Sequence, residues 1–519
     1  MDGYILNSTE SRWTSGIGLG SRLYWAGVAF FSLTSLVLFL INTRYGIGIY
    51  PDSLRYMGIS ERPYDAPLYA WLLTGVSATG VDLPVGAKAI GLFFVCANTI
   101  LIWHLLVRAS GKYIYAAAGT AIITLAPQFV TLHSLAMSEP PFLFFLLVTV
   151  LALLRYFETD DRTWLKASAV LLGLTTLVRF TAPPLGAAIA VCLLLNPRHT
   201  LSRRFVDATI FAVVSTAIFL CWVVMSEVIA DRSIGRALWF YGNMGASEWL
   251  KSLGAMTAWL LPDEVPFSAR VLLLSAFAAA AAYLTFRQAR VTLLHAGQAK
   301  ASDALLPTLF GLFFFFYLGF MVLSTSVEAN LSLSGRYAFP VYVTTVLMLT
   351  IVLAHVDDAK GMVKLLHYGL VCFAVLVFGG HAIRTAVRSS EAYRSGVGYA
   401  SREWANSPTM QALRQLPADA SIYSNGADVI AYVLRRESHS LPERIQLRTG
   451  RDNPANPYER QLQTLRDSLT KEHSYVAIFD AIDWRFYLVS EAELKQHLSL
   501  VTVATEADGR IYVMPKTTK

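Results

Sequence analysis

A chain of 519 residues, 55% of them hydrophobic and 15% charged, with a mean hydropathy of +0.47, is not an ordinary soluble enzyme. Its net charge of +7 comes from scattered Lys and Arg, so it reads as a loop-orientation signal in a membrane and not as a nucleic-acid footprint. The four cysteines, Cys96, Cys192, Cys221 and Cys372, lie inside apolar runs with no disulfide or zinc spacing and read as small packing residues.

About twenty polar and glycine-rich residues open the chain and no small-residue cleavage site follows, so the first apolar run is expected to stay in the protein. Eleven candidate spans follow, at 23–43, 86–107, 113–131, 139–156, 166–179, 182–196, 206–227, 269–286, 304–325, 337–356 and 364–384. Each is set against the about 20 apolar residues that a crossing needs. With residues 1–22 in the cytoplasm, the connections carrying Arg108/Lys112, Arg155/Arg162/Lys166, Arg198/Arg203/Arg204, Arg287/Arg290/Lys300 and Lys360/Lys364 all fall inside, as the positive-inside rule asks. An odd count leaves the C-terminus outside. The expected architecture is an α-helical polytopic membrane protein of about eleven transmembrane helices over 23–385, followed by a C-terminal extracytoplasmic α/β domain at 391–519.

The first outer loop, 44–85, holds the most chemistry: Pro51-Asp52-Ser53, Arg55 and Tyr56, then Ala66-Pro67-Leu68-Tyr69. Asp52 or Ser53 can N-cap a short helix beginning near Leu54. An acid, an arginine and tyrosines at a membrane surface can also act on a polar headgroup. The fifth span has only twelve uncharged residues between Lys166 and Arg179, about 18 Å of helix. With Arg179 followed by Pro183-Pro184, this predicts a helical hairpin with Arg179 near its outer tip, or a snorkelling arginine. The fourth outer loop, 228–268, carries Trp239, Phe240, Tyr241, Trp249 and Trp259, the composition of a helix in the lipid interface that anchors the protein or touches a lipid substrate. The phenylalanine-rich run Leu309–Phe320 reads as lipid-facing or bundle packing. No fixed-period repeat and no pair of matched broken segments is apparent.

From about Glu391 the composition becomes that of a soluble domain. Helix-like 403–416, strand 420–424, helix 426–435, helix 458–471, strand 475–480, helix 490–497 and strands near 500–505 and 510–514 predict a small α/β layer. It lacks a GxGxxG turn, so no nucleotide cofactor is expected, and it reads as a cap or partner-binding domain.

Three polar clusters share the outer face under this topology: Asp52-Ser53, Ser138-Glu139-Pro140-Pro141 at the start of span four, and Arg336-Tyr337 at the start of span ten. Ser138 is a good N-cap with Glu139 in the first turn. Arg336 is odder, because a cation at a helix N-terminus opposes the macrodipole. Two acids and two arginines at outer helix ends can surround one site.

Pro51-Asp52-Ser53-x-x-Tyr56 with Ala66-Pro67-Leu68-Tyr69 resembles the first outer loop of GT-C membrane glycosyltransferases, in the bacterial branch related to protein O-mannosyltransferases and lipid A aminoarabinose transferases. Met137-Ser138-Glu139-Pro140, Leu177-Val178-Arg179-Phe180-Thr181 and Gly335-Arg336-Tyr337 resemble further motifs of that branch in the same order, as do Trp404–Pro408 and Ile422–Asn425 of its C-terminal domain. The loop-one motif departs from the Asp-Glu of many relatives, since Ser53 follows Asp52.

The resemblance implies an inverting transfer of a sugar from a polyprenyl-phosphate-linked donor to a glycan, lipid or protein acceptor outside the bacterial inner membrane. Asp52 would be the general base, with Glu139 orienting substrate or sharing a divalent cation such as Mg or Mn with Asp52. Arg336 and Arg179 would hold the phosphate, and Arg55, Tyr56, Tyr69 and Tyr337 would line the substrate site. The rival readings are a transporter or flippase with charges along a substrate path, and a non-catalytic scaffold displaying 391–519.

Overall fold

In the computed structural model, residues 19–59, 65–229, 245–294, 299–328, 331, 333–356, 361–447, 449–471 and 473–515 are described. The membrane portion begins with α1 (Leu19–Asn42), and the first loop holds two short helices, α2 (Pro51–Tyr56) and α3 (Pro67–Ser77). Then come α4 (Leu83–Ser110), α5 (Tyr113–Thr124), α6 (Pro127–His133), α7 (Glu139–Thr159), α8 (Arg162–Val178), α9 (Pro183–Leu195) and α10 (Leu201–Val224). The series closes with α11 (Ala246–Thr257), α12 (Phe267–Leu294), α13 (Ala299–Val327), α14 (Gly335–His355) and α15 (Met362–Ser395). Prolines at the starts of α2, α3, α6 and α9 fit the first helical turn, where the missing N–H has no intrahelical partner to lose.

The chain is an integral membrane protein. Among the described residues, eight helices are long and apolar enough to cross a membrane, nine if α5 and α6, bent by 60°, count as one span. Ten of the eleven expected segments coincide with one helix, and the segment 113–131 is broken into α5 and α6. The difference lies in α8 and α9, at 17 and 13 residues too short or too polar to meet that test. Arg179 turns the chain between them, and they diverge: α8 packs on α7 and α10, α9 on α10 and α13.

Burial ranks the spans. In α7 and α14, 67% and 78% of the apolar window is buried inside the protein, against 17% for α1, α10 and α15, so α7 and α14 form the centre and the other three the rim. Phe310, Phe313 and Phe314 of the phenylalanine run pack inward, while Phe315 is exposed. Only Cys192 is fully buried; Cys221 and Cys372 are exposed on the bundle's outside, so the packing role expected of them fails. In the fourth loop, α11 exposes Trp249, whereas Trp259 is buried and its carbonyl accepts from the His381 ring. Trp239, Phe240 and Tyr241 lie outside the described residues, as do residues 1–18.

Beyond α15 come α16 (Arg402–Ala405), α17 (Pro408–Arg414), β1 (Ser421–Ser424), α18 (Ala427–Leu434), β2 (His439–Ser440), α19 (Tyr458–Leu469), β3 (Ser474–Phe479), α20 (Glu491–His497), β4 (Val501–Glu506) and β5 (Gly509–Val513). The sheet order is β2-β1-β3-β5-β4, with β2, β1 and β3 parallel and β5 and β4 antiparallel. The single helix expected over 403–416 is two, because Ser407 caps a new start at Pro408: its hydroxyl oxygen accepts the Met410 N–H at 3.0 Å.

This α/β layer shares a core with the first loop. Ile49, Leu54, Tyr56 and Tyr69 pack in one apolar cluster with Tyr399, Met410, Ile422 and Phe479, and α18 lies against α2. The Tyr399 N–H donates to the Ile49 carbonyl at 2.9 Å. Gly398 makes this strap possible: its φ is +59°, and a Cβ there would lie 2.3 Å from the Ile49 oxygen. Gly398→Ala should therefore destabilise the protein by about 1–3 kcal/mol and expose the 396–401 strap. Limited proteolysis of the detergent-purified chain reads this, and a variant as resistant as wild type would show that the close approach is dispensable.

Candidate active site

The helix starts of the two central spans lie at the same end of the bundle as α2, and the polar groups of all three meet there. In α2 the chain does not begin as the capping reading supposes. The helix starts at Pro51, with Tyr50 in the cap position, and the Ser53 hydroxyl accepts the Tyr50 N–H at 3.1 Å. Asp52 is thereby freed from capping. Its carboxylate takes Arg55, one turn on, at 2.8 Å, and Arg336 from α14 at 2.5 Å. Arg55 in turn binds Asp65 at 2.7 Å.

The α7 start departs from expectation in the same way. Ser138 occupies the N-cap position but makes no side-chain cap bond. Its hydroxyl instead meets the Tyr56 hydroxyl at 3.0 Å and accepts from Arg179 at 3.1 Å. Arg179 reaches Glu139 at 2.6 Å, and the Arg336 Nε donates to the same Glu139 oxygen. The dipole penalty at the N-terminus of α14 is thus offset by two carboxylates. Tyr337 sits under both guanidiniums, its ring centre 5.3 Å from Arg179 and 5.9 Å from Arg336. Its carbonyl accepts the Tyr317 hydroxyl at 2.7 Å. Tyr69 enters through its ring, edge-on to Tyr56 at 5.2 Å.

All eight residues named from the sequence therefore gather at one place. Sequence reasoning missed Asp65 and Tyr317, and assigned Ser138 to a cap it does not make. No local pattern marks Asp65 apart from its place just before Ala66-Pro67.

The cluster has a closed side and an open one. Glu139 and Arg179 are 1% and 8% exposed, whereas Asp52 and Arg336 are 26% and 24% exposed, so a ligand would meet the Asp52–Arg336 pair first. Three arginines face three carboxylates, which leaves the cluster electrically neutral. The second Glu139 oxygen is buried without a partner. A divalent cation between Asp52 and Glu139 does not fit this donor set, because Arg336 already lies between the two carboxylates. Among the described residues no group of three or more His, Cys, Asp or Glu is placed to hold a metal ion.

Burial alone would raise the Asp52 carboxyl, but the charges of Arg336 and Arg55 and their hydrogen bonds outweigh it and bring the group from 3.8 down to about 2. Since the folded value lies below the unfolded one, the stabilisation from ionised Asp52 is complete above about pH 4 and is lost as pH falls through about 2. Melting temperatures of wild type and Asp52→Asn should differ by a steady amount from about pH 8 to 5 and converge toward about pH 2. A difference unchanged at the acid end would contradict the pairing.

Against protein families, residues 62–225 match the model of the family described as dolichyl-phosphate-mannose-protein mannosyltransferase. That segment contains Tyr69, Glu139 and Arg179, while Asp52, Arg55, Tyr56, Arg336 and Tyr337 lie outside it. No curated protein sequence matches. Among solved structures, ArnT from Cupriavidus metallidurans in the apo state is similar at 14% identity and a TM-score of 0.47, over 95% of this chain and 98% of that one. The Archaeoglobus fulgidus oligosaccharyltransferase is similar at 11% identity and 0.48, over 88% of this chain and 69% of that one. The arabinofuranosyltransferase AftD from Mycobacteria is similar at 13% identity and 0.47, over 94% of this chain and 42% of that one. Through residues 62–225 the chain is thus similar to the protein O-mannosyltransferase branch of the GT-C membrane glycosyltransferases, the family its own motifs resemble.

Proposed function

We propose that this protein is an inverting glycosyltransferase that moves a sugar from a polyprenyl-phosphate carrier to an acceptor hydroxyl on the extracytoplasmic face of the bacterial inner membrane. The observation that carries the reading is Arg336, a guanidinium held between Asp52 and Glu139 at the open end of the two central helices. Its fork suits a phosphate oxygen pair, and Asp52 beside it suits the proton of an attacking hydroxyl. The family matched over 62–225 is described by a dolichyl-phosphate sugar donor, itself a polyprenyl phosphate, which supports the donor class.

In this reading Asp52 takes the proton as the acceptor oxygen attacks the anomeric carbon, and the carbon–oxygen bond to phosphate breaks on the opposite face. Arg336, backed by Arg179, stabilises the charge that grows on the leaving phosphate. Glu139 fixes both arginines and through them orients the substrate. Arg55, Tyr56, Tyr69 and Tyr337 hold these groups in place and line the substrate site. The acceptor is a glycan, a lipid or a protein, and the sugar a hexose or pentose. Residues 1–22 lie in the cytoplasm, 23–385 form the catalytic bundle, and 391–519 sit outside over the first loop. The opposite end of the bundle supports that orientation: besides Arg108, Arg162 and Arg203, paired there with Glu158, Asp207 and Asp160, it carries Arg155, Lys166, Arg198 and Arg204, a basic excess of the kind that faces the cytoplasm.

Asp52→Asn keeps the shape but removes the base, so sugar transfer from a synthetic polyprenyl-phosphate donor should fall by roughly 100-fold or more with the protein still folded. Arg336→Lys should impair transfer through loss of the fork, and Arg336→Ala more severely, by about 2–4 kcal/mol in activation free energy. Wild-type rates in Asp52→Asn would remove it from the chemistry and leave Glu139 as the candidate base.

Topology gives an independent check. Reporter fusions after Lys166, Arg204 and Lys364 should read cytoplasmic, and fusions near Asp52, Ser334 and Ser424 outside. A cytoplasmic signal at Asp52 would overturn the orientation.

A further inference from the structure

Arg336 is the only cation that touches both Asp52 and Glu139 among the described residues, and neither acid depends on it alone. Glu139 keeps Arg179 at 2.6 Å, and Asp52 keeps Arg55 at 2.8 Å. The two contacts also differ in kind. Arg336 grips Glu139, 1% exposed, through Nε, and reaches Asp52, 26% exposed, through Nη1. The Nε contact is thus with the buried acid, and the Nη1 contact with the acid on the open side.

The charge balance supplies a reason for Arg336 to change partner. In the resting cluster three arginines are matched by Asp52, Asp65 and Glu139. A sugar phosphodiester brings one negative charge. On transfer, the acceptor hydroxyl gives its proton to Asp52, the new glycosidic bond forms, and the bond between the anomeric carbon and the phosphate oxygen breaks. The carrier leaves as a phosphate monoester with one further negative charge, while Asp52 has lost one. The guanidinium has become surplus at Asp52 at the step in which the phosphate needs it.

We propose that Arg336 is handed from Asp52 to the carrier phosphate when Asp52 takes the acceptor's proton, and is taken back when Asp52 ionises, so that the same carboxylate serves as base and as the competitor that expels the product. Glu139 is then a positioning residue that keeps the Nε contact. This rests on the glycosyltransferase reading above and assigns it a product-release step. The pairing also keeps resting Asp52 a weak base, since a carboxylate titrating near 2 holds a proton poorly until Arg336 turns away.

The test is a binding measurement that needs no turnover. Full-length protein in detergent is titrated with farnesyl monophosphate as wild type, Asp52→Asn, Arg336→Ala and the double variant, with Asp52→Ala in place of Asp52→Asn should the latter not fold. Removing the competing charge should tighten farnesyl monophosphate by about 10-fold, and Arg336→Ala should abolish that gain. Affinity in the neutral Asp52 variant no better than wild type, or a gain that survives Arg336→Ala, overturns the hand-over. Transfer assays on the same preparations separate the two ideas. An inactive Asp52→Asn with unchanged phosphate affinity sinks the hand-over alone, and a fully active one sinks the base on which it rests.

Discussion

The structure turns on one guanidinium. Arg336 stands at the first turn of α14, where the helix dipole disfavours a cation, and in the most buried span of the bundle. A charge so placed is tolerated only with close partners, because desolvation of an isolated ion costs several kcal/mol. Its partners come from α2 and α7, 284 and 197 residues away in the chain. Satisfying Arg336 therefore fixes the relative heights of the first loop and the two central helices. Arg179 extends the same constraint to α8, since it must meet Glu139 and Ser138 where that helix ends.

This arrangement is a poor way to stabilise a membrane protein. Apolar residues of similar volume often hold a fold as well as a buried ion pair does. A cluster of three arginines and three carboxylates, with one buried carboxylate oxygen left unpartnered, carries polar cost that packing alone does not require.

The C-terminal α/β portion takes part in holding the site. α2 carries Asp52 and Arg55 on one side and lies against α18 on the other, within an apolar cluster that runs from Ile49 to Phe479. A six-residue helix has little stability of its own, since helices shorter than about 12 residues are marginal in water. Burial between the bundle and the α/β layer is what keeps it in one conformation. The buried pair Arg485–Asp428, at 2.5 Å with Tyr399 alongside, ties that layer to the strap passing Ile49.

The sequence by itself determined the elements. Long uncharged runs specify helices because a backbone in lipid must satisfy its own hydrogen bonds, and short apolar runs between helix-like segments specify the strands of the C-terminal sheet. Hence every expected span meets a helix, and the strands near 420, 475, 500 and 510 are present. It determined also which charges stand out, since Asp52, Glu139, Arg179 and Arg336 interrupt or border apolar runs. Partnership was decided only in three dimensions. Local rules assign Ser138 and Asp52 to caps, because a cap is the nearest use for a hydroxyl or carboxylate at a helix start. The tertiary structure gives those groups stronger partners, Arg179, Tyr56 and Arg336, from segments far along the chain. For Ser138 the charged bond from Arg179 outweighs a neutral cap, and for Asp52 two guanidiniums outweigh one backbone N–H; whether such partners are in reach depends on how the helices stack, which no local pattern encodes.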